Sequence, residues 1–473
     1  MQNGSTKYRV DAKLRVEDFC KVLKIKPTTC NILDRKIKGV TTDSRYVEEA
    51  DVFFAIKGET HDGNDYVQEA VDKGAAFCVF DRAGIDVPGF KVEDTIKALG
   101  EMAKFSRAKF KGKVIAITGS NGKTTTKNIT ASLLGELGRT SKSQASFNNY
   151  IGLPLTILGT PPDGEYMVLE VGTNHSGEIK RLANISKPDI GVVTNVGPVH
   201  LEFLGSIDNV AAEKKELLKS LGEEGWAVIN ADCEKAALLS EGIKARKFFF
   251  STTSNKVDLY VKSQIDKEAG TKLTIQRGKE VFETFLNLAG DHNVANAAAA
   301  LSVATILGAS SEEIAKGLAN VRVETKRFEV LKIKDRFTVV NDTYNANPVS
   351  VEIAIRGASR MAGNKYLVLG DMLELGGNSS SYHEKIGALA ASLNFQGLML
   401  MGEMAGHVKS GALNSSLPKD RVKIYKNHDA VVKEIASIYE RSDEKMIVLV
   451  KGSRRMRMEL IVEKLIAYMG RAK

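Results

Sequence analysis

The ten residues Ile117-Thr118-Gly119-Ser120-Asn121-Gly122-Lys123-Thr124-Thr125-Thr126 carry the strongest chemical signal in the chain. They end an apolar run, KVIAIT, and precede a helical pattern. Strand, Gly-rich turn, Gly-Lys-Thr and helix in succession are the context that makes a phosphate loop credible. Glycines let backbone N–H groups close around phosphate oxygens, and the helix N-terminus adds a partial positive charge. Lys123 is placed to reach the β- and γ-phosphates of a nucleoside triphosphate, and the Thr124 hydroxyl to hold Mg²⁺. Only two residues separate Gly119 from Gly122, a shorter spacing than the general pattern. A Gly-rich turn that merely caps a helix, with Lys123 in solvent, accounts for less of this arrangement.

A carboxylate and an imidazole accompany the loop. Glu170 stands near the end of YMVLEV (166–171), and His200 ends the loop Asn195-Val196-Gly197-Pro198-Val199-His200 just past IGVVT (190–194). In a parallel sheet the strand C-termini share one edge, and ligands bind there. The phosphate loop, Glu170 and His200 are therefore expected to converge. A carboxylate and one imidazole beside nucleotide phosphates suit a Mg²⁺ site. Taken singly, a strand-end Glu is more often a cap or ion-pair partner, and a lone His a hydrogen-bonded structural residue. Lys214 lies in Ala211-Ala212-Glu213-Lys214-Lys215-Glu216. Its spacing reads as a solvated helix face with i,i+4 charge pairs.

Three later motifs are less decided. Gly290-Asp291-His292-Asn293-Val294-Ala295-Asn296 opens a helix rich in small residues, with Asn293 and Asn296 on one face. A ligand role there and an N-cap plus a buried amide are equally open. Asn341-Asp342-Thr343-Tyr344-Asn345-Ala346-Asn347-Pro348 follows the run FTVV, either as a ligand-edge loop or as an Asx-turn that starts a helix. GDMLELG (370–376) and Lys451-Gly452-Ser453-Arg454 follow two further apolar runs on the same edge, where basic residues meet an anion or stay solvated.

The elements that must position these residues follow from the apolar runs. KVIAIT (113–118), YMVLEV, IGVVT and WAVIN (226–230) fit strands buried on both faces of a parallel sheet, with helical patterns between them. FTVV (337–340), YLVL (366–369), LMLM (398–401) and MIVLV (446–450) repeat the rhythm. VFFAI (52–56) and AAFCVF (75–80) are shorter runs between polar turns, and the stretch 93–111 reads as a polar helical connector. The expected architecture is α/β with three domains. A small α/β domain spans 1–93, a central doubly wound ATP-binding domain 94–324, and a smaller Rossmann-like domain 325–473. At 473 residues the chain is too long for one core.

Composition narrows the class. With 43% apolar and 26% charged residues, disorder and collagen-like repeats are excluded. The excess of 67 basic over 58 acidic residues suits an anionic substrate and falls short of a nucleic-acid footprint. Cys20, Cys30, Cys78 and Cys233 lie far apart, without metal spacing, and read as reduced thiols of a reducing compartment. The polar N-terminus lacks a signal-peptide pattern, and its first dozen residues read as an extension without a role. The most apolar stretch, 294–309, is interrupted by Asn296, Ser302, Thr305 and Gly308 and reads as a buried helix rather than a membrane span. A cytoplasmic location is expected.

These motifs, in this order and over nearly the whole chain, resemble the Mur ligase family of ATP-dependent peptide synthetases. VVNDTYNANP, LGDMLELG and VKGSRRMRME are similar to signatures of the member that adds D-alanyl-D-alanine to a UDP-N-acetylmuramoyl-tripeptide. The resemblance implies a ligase of peptidoglycan precursor synthesis. It would form a C–N bond through an acyl phosphate and release ADP and phosphate, with ATP and Mg²⁺ as cofactors. UDP-MurNAc-tripeptide and D-Ala-D-Ala would be its small-molecule partners. A monomer is expected, with no nucleic acid and no membrane insertion.

Residue roles follow from the same resemblance. Gly119, Ser120, Asn121, Gly122, Lys123, Thr124 and Thr125 would hold ATP phosphates. Glu170 and His200 would bind magnesium together with Thr124. Lys214 aligns with a lysine that several members carbamylate to gain a metal-ligating carboxylate, and it completes a catalytic set with Lys123, Glu170 and His200. Asn293 and Asn296 would face the nucleotide, and Arg327 and Asp342 would reach ATP on domain closure. Ser44 and Arg45, in Asp43-Ser44-Arg45, and Lys57, in FFAIKG, resemble the module that grips the UDP end. Asn148 and Asn149, in QASFNN (144–149), would meet the muramoyl-peptide, with Asn345 and Asn347 also on the substrate side. Asn64 stands where the family commonly has His, and Glu213 and Lys215 flank Lys214 unusually. The Asp-Asn-Pro-Arg motif of the paralogue that adds a single amino acid is absent. A nucleotide-gated binding protein without catalysis is disfavoured by the presence of Lys123, Glu170, His200 and Asp342 together.

Overall fold

The computed structural model describes residues 8–29, 32–266, 270–288, 290–322 and 324–471. Cys30 and the first seven residues of the expected extension lie outside the described residues. Cys20, Cys78 and Cys233 are free thiols, and burial pushes Cys78 up to about 12.

Three sheets follow one another along the chain. The first contains β1 (Arg9–Asp11), β2 (Gly39–Thr41), β3 (Asp51–Phe54), β4 (Phe77–Phe80) and β5 (Gly89–Lys91) side by side in chain order, antiparallel only at β1. The second contains β6 (Lys113–Thr118), β7 (Thr140–Lys142), β8 (Tyr166–Glu170), β9 (Ile190–Val193), β10 (Trp226–Asn230), β11 (Arg246–Ser251), β12 (Leu259–Asp266), β13 (Gly270–Arg277) and β14 (Glu280–Leu286). Their order is β14-β13-β12-β11-β10-β9-β6-β8-β7. Strands β7 to β12 run parallel, and the β12–β14 meander is antiparallel. That meander was not anticipated. Its strands alternate polar and apolar residues, so none forms an apolar run, and each buries one face only.

The third sheet holds β15 (Glu329–Lys334), β16 (Phe337–Asp342), β17 (Asn364–Leu369), β18 (Gly397–Leu400), β19 (Val422–Ile424) and β20 (Met446–Lys451) in the order β15-β16-β20-β17-β18-β19. All neighbours are parallel except β15 and β16. The fold is therefore three α/β units in series.

The units are joined differently. One apolar cluster runs from the first sheet (Val40, Val52, Phe77) through Leu99, Met102 and Ala103 to Val114 and Leu169 of the second. Leu99 belongs to the helix Thr95–Lys109, which buries six residues and so is a packed element rather than the polar connector expected for 93–111. The other face of the second sheet is covered by the helices Lys123–Gly135 and Asp291–Ile306. The latter is the expected small-residue helix, with Ala297 to Ala300 fully buried. The third sheet has its own two clusters.

Candidate active site

Strand β6 lies between β8 and β9, parallel to both, so the three strand ends share one rim. The register places Glu170 opposite Ile117, next to the start of the phosphate loop. His200 follows β9 on the same rim, as the left-handed residue before the helix Leu201–Leu204. Two glycines shape the loop. Gly119 has φ +153°, and a Cβ there would lie 1.9 Å from the Thr194 hydroxyl; Gly122 has φ +81°, and its Cβ would lie 2.0 Å from Asn296 Oδ1. Any side chain at either position would collide with the groups that hold the loop. Asn195 secures it by accepting from the Asn121 N–H through Oδ1 at 2.9 Å and from the Ser120 N–H through its carbonyl at 3.0 Å. Ser120 Oγ exchanges hydrogen bonds with Gly197.

Lys123 folds back and donates to the Gly119 carbonyl at 2.8 Å. Burial lowers the pKa of its ammonium, Glu170 opposes that shift, and Arg327 adds to it. Thr124 is 2% exposed, and its hydroxyl accepts from Arg327 Nη2 at 2.8 Å. Arg327 stacks over the Tyr344 ring at 4.1 Å. The flanking Lys326 (φ +64°) and Phe328 (φ +51°) are both left-handed without being glycine, a strained turn of the kind found at functional sites. Asp342 holds this turn by accepting from the Phe328 N–H at 3.1 Å, and Lys451 donates to its other oxygen at 2.6 Å. Asn347 does two things: Oδ1 caps the helix Pro348–Ser359 through Ser350 N at 2.9 Å, and Nδ2 donates to Asn121 Oδ1 at 2.7 Å. The motif thus caps a helix and at the same time contacts the phosphate loop.

Glu170 is 1% exposed. Its Oε1 accepts from Asn148 Nδ2 at 2.8 Å, and its buried Oε2 has no hydrogen-bond partner. His200 Nδ1 meets Glu374 Oε2 at 2.6 Å, which leaves Nε2 as the other ring nitrogen. The solvated-face reading of Lys214 is corrected. It is 2% exposed on the helix Ile207–Lys219, and burial, with Lys123 nearby, brings its pKa down to about 7. Glu213 is buried too, because its carboxylate accepts from the Gly177 and Ile179 N–H groups (2.8 Å each) at the start of the helix Glu178–Ser186. Among the described residues no trio of His, Cys, Asp and Glu converges as a ready-made metal cage. The rim instead offers one carboxylate oxygen without a hydrogen bond, one hydroxyl and one imidazole. That donor set fits a hard divalent cation that takes its remaining ligands from phosphate and water.

Comparison with known proteins decides the family. The chain matches the Mur ligase middle domain over residues 117–304, the Mur ligase glutamate ligase domain over 326–454, and the Mur ligase family catalytic domain over 36–107. This chain is a Mur ligase. The Mur ligase is 36% identical to the UDP-N-acetylmuramoyl-tripeptide–D-alanyl-D-alanine ligase of Bacillus subtilis, over 91% of this chain and 93% of the relative. It is 32% identical to the Escherichia coli enzyme of the same name, over 91% and 94%. Among solved structures, MurF from Acinetobacter baumannii superposes with a TM-score of 0.87 at 28% identity, over 97% of this chain and all of that one. MurF from Thermotoga maritima in complex with ADP superposes with a TM-score of 0.81 at 28% identity, over 94% and all.

Other expected site residues of the Mur ligase fall into two groups. Asn293 and Asn296 share one helix face, 3.5 Å apart through Nδ2 and Oδ1, and Asn296 presses on Gly122. Asn149 spends its side-chain oxygen on the Ile151 and Gly152 N–H groups, starting a helix. Asn345 accepts from the Arg454 N–H and, through its carbonyl, from Lys451. Ser44, Arg45 and Lys57 form a separate group beyond the ends of β2 and β3. Ser44 is buried beside Glu69, Arg45 is exposed and paired with Asp43, and Lys57 is exposed. Asn64, the departure from the family pattern, is buried and bonds Asp62 and Asp81. Sequence reasoning assigned no role to Lys127, Asn195, Tyr344 or Glu374, whereas Lys451, read as a basic residue of the ligand edge, does meet a carboxylate, that of Asp342. Asn195, Tyr344 and Glu374 lie just past strand ends, the signal that could have found them.

Proposed function

We propose that this Mur ligase joins D-alanyl-D-alanine to a UDP-N-acetylmuramoyl-tripeptide at the expense of ATP, releasing ADP and phosphate, as the names of its Bacillus and Escherichia relatives suggest. The observation that carries the reading is the contact of the segment 344–347 with the phosphate loop and the 143–149 loop. Asn347 meets Asn121, and Tyr344 meets Ser146. The residues that distinguish this member thereby sit against the nucleotide site.

The chemistry starts from a weak electrophile, because a carboxylate repels an incoming amine. In the proposed path an oxygen of the tripeptide's terminal carboxylate attacks the γ-phosphorus, the bond to the β-phosphate oxygen breaks, and ADP leaves. The neutral amine of the dipeptide then attacks the acyl carbon. A tetrahedral species collapses with loss of phosphate, and the nitrogen proton goes to solvent. Lys123 and Arg327 are the cations that would balance charge on the transferring group, where positioning and electrostatics do most of the work. Thr124, Glu170 and His200 would hold Mg²⁺, which when bound neutralises phosphate charge. Lys214, at about 7, has a neutral amine available for carbamylation near neutral pH. Gly119 to Thr125 would cradle the phosphates, with Asn293, Asn296 and Asp342 beside them. Ser44, Arg45, Lys57, Asn148, Asn149 and Asn345 would line the precursor path.

The division of labour follows the expected boundaries 1–93, 94–324 and 325–473. We read the protein as a cytoplasmic monomer; no helix among the described residues is long and apolar enough to cross a membrane. The test is a coupled assay with UDP-MurNAc-tripeptide and a panel of dipeptides and single amino acids. ADP and phosphate should appear only with precursor and dipeptide together, and Lys123→Ala should lower kcat by about 10³-fold or more while precursor binding persists. AMP and pyrophosphate as products would refute the mechanism, and preference for a single amino acid the substrate.

A further inference from the structure

Lys127 lies one turn beyond Lys123 on the helix Lys123–Gly135 and is 1% exposed. Its ammonium donates to the Ala145 carbonyl and sits 3.7 Å from Glu170 Oε2, the oxygen without a hydrogen-bond partner. Burial lowers its pKa, and the carboxylates of Glu170 and Glu324 oppose that shift. A buried ammonium is an expensive way to fill space, since an apolar side chain of similar volume has no charge to desolvate. Its position therefore asks for a purpose beyond packing.

That purpose is visible in the loop above it. Ala145 has φ +42°, a left-handed conformation that is strained for a residue with a Cβ. Lys127 grips the carbonyl of this strained residue. The same loop is tied at two other points, by Asn148 Nδ2 to Glu170 Oε1 at 2.8 Å and by Ser146 Oγ to the Tyr344 hydroxyl. Tyr344 in turn carries Arg327, which reaches Thr124. The 143–149 loop is thus bonded to the phosphate-loop helix, to the strand-end carboxylate and to the third unit.

We infer that Lys127 is a positioning residue that fixes the 143–149 loop and the Oε2 of Glu170 in one geometry, so that precursor binding and metal–nucleotide binding strengthen each other. This rests on reading the site as a ligase. Lys127 does not touch the reacting atoms. It aims the carboxylate and holds the loop, and one ammonium serves both because both partners lie within its reach.

The test compares wild type with Lys127→Met and Lys127→Gln. Mn²⁺ binding in the presence of ADP is read by electron paramagnetic resonance. UDP-MurNAc-tripeptide binding is read by calorimetry with and without Mg²⁺ and a non-hydrolysable ATP analogue. In wild type the analogue should tighten precursor binding by about 5-fold or more. In Lys127→Met that factor should fall to about one, and Mn²⁺ affinity should drop by about 10-fold or more. Metal-free ADP binding should stay within about 2-fold of wild type. Lys127→Gln keeps a donor for Ala145 but no charge, so it should restore part of the coupling and none of the Mn²⁺ affinity. Coupling and Mn²⁺ affinity equal to wild type in Lys127→Met would overturn the inference. So would failure of both variants to fold, which would make Lys127 a purely structural residue. None of these readouts uses the dipeptide or turnover, so a wrong dipeptide assignment fails the coupled assay and leaves this result standing.

Discussion

The first and third units meet the central one through opposite kinds of joint. On the first side the contact is apolar and continuous. Phe19, Phe77 and Phe90 pack edge-on or stacked at 5.0–5.8 Å in the same cluster as Leu99, Met102, Val114 and Leu169. On the third side the contacts that matter are polar. They are Arg327 to Thr124 at 2.8 Å, Asn347 to Asn121 at 2.7 Å, Glu374 to His200 at 2.6 Å, Arg360 to Asp291 at 3.2 Å, and Tyr344 to Ser146. Opening an apolar joint exposes surface at about 25 cal/mol per Å². Opening a polar one trades protein partners for water, at a net loss of about 1 kcal/mol per bond. The first unit is therefore built to stay and the third to let go. Apart from the bond from the Glu202 N–H to the Glu374 carbonyl, these bonds end on the phosphate loop, the 143–149 loop, His200 or the helix carrying Asn296, so opening of the third unit would disturb the groups around the phosphate loop.

The largest expected effect lies on the apolar side. Leu99→Ala should lower unfolding stability by about 2–5 kcal/mol in urea titrations, since Leu99 is fully buried where the first and second units share a core. The kcat of the molecules that remain folded should stay close to wild type. A collapse of kcat in folded protein would break the distinction, because it would show the apolar joint moving during turnover. Smaller in energy is Arg327→Ala on the polar side. Its kcat should fall by about 10- to 100-fold, with stability lower by about 1.5–3 kcal/mol, because one charged hydrogen bond and one stacking contact are lost at a site otherwise held by Asp342 and Lys451. Equal losses of stability in the two variants would show that both joints are of one kind.

The two joints were unequally legible in the sequence. Strands β6, β8, β9, β16, β17, β18 and β20 could be read because burial on both faces leaves unbroken apolar runs. The rim followed, because parallel strands put Lys123, Glu170 and His200 at one edge whatever their separation along the chain. The β12–β14 meander could not be read, since one-sided burial dilutes its apolar residues among polar ones. Lys214 and Lys127 were hidden for a different reason. A lysine among threonines or glutamates looks solvated until something distant covers it. Lys214 is 2% exposed beside Lys123, and the loop carrying Ala145 lies on Lys127. Glu374 was visible only as part of a motif, because its partner His200 lies in another unit.

Lys214 provides the smallest effect and the sharpest check. Its pKa is about 7 in the folded protein and 10.5 for an ordinary lysine. Below pH 7 both states hold the proton, and folding carries the full burial penalty. Between about 7 and 10.5 the unfolded chain holds a proton that the native state has released, so stability rises with pH, by at most about 1.4 kcal/mol per unit. The measurement belongs between pH 7 and 8.5, below the range where the unfolded Cys78 thiol ionises while burial keeps the folded one protonated, which pulls the other way. Urea titrations should show the rise in wild type and its loss in Lys214→Met. The groups that set the shift, burial aside, are Lys123 and Glu213, both in the central unit. Arg327→Ala should therefore keep the slope. If it flattens, the third unit contributes to burying Lys214, and the polar joint reaches deeper into the catalytic floor than its hydrogen bonds indicate.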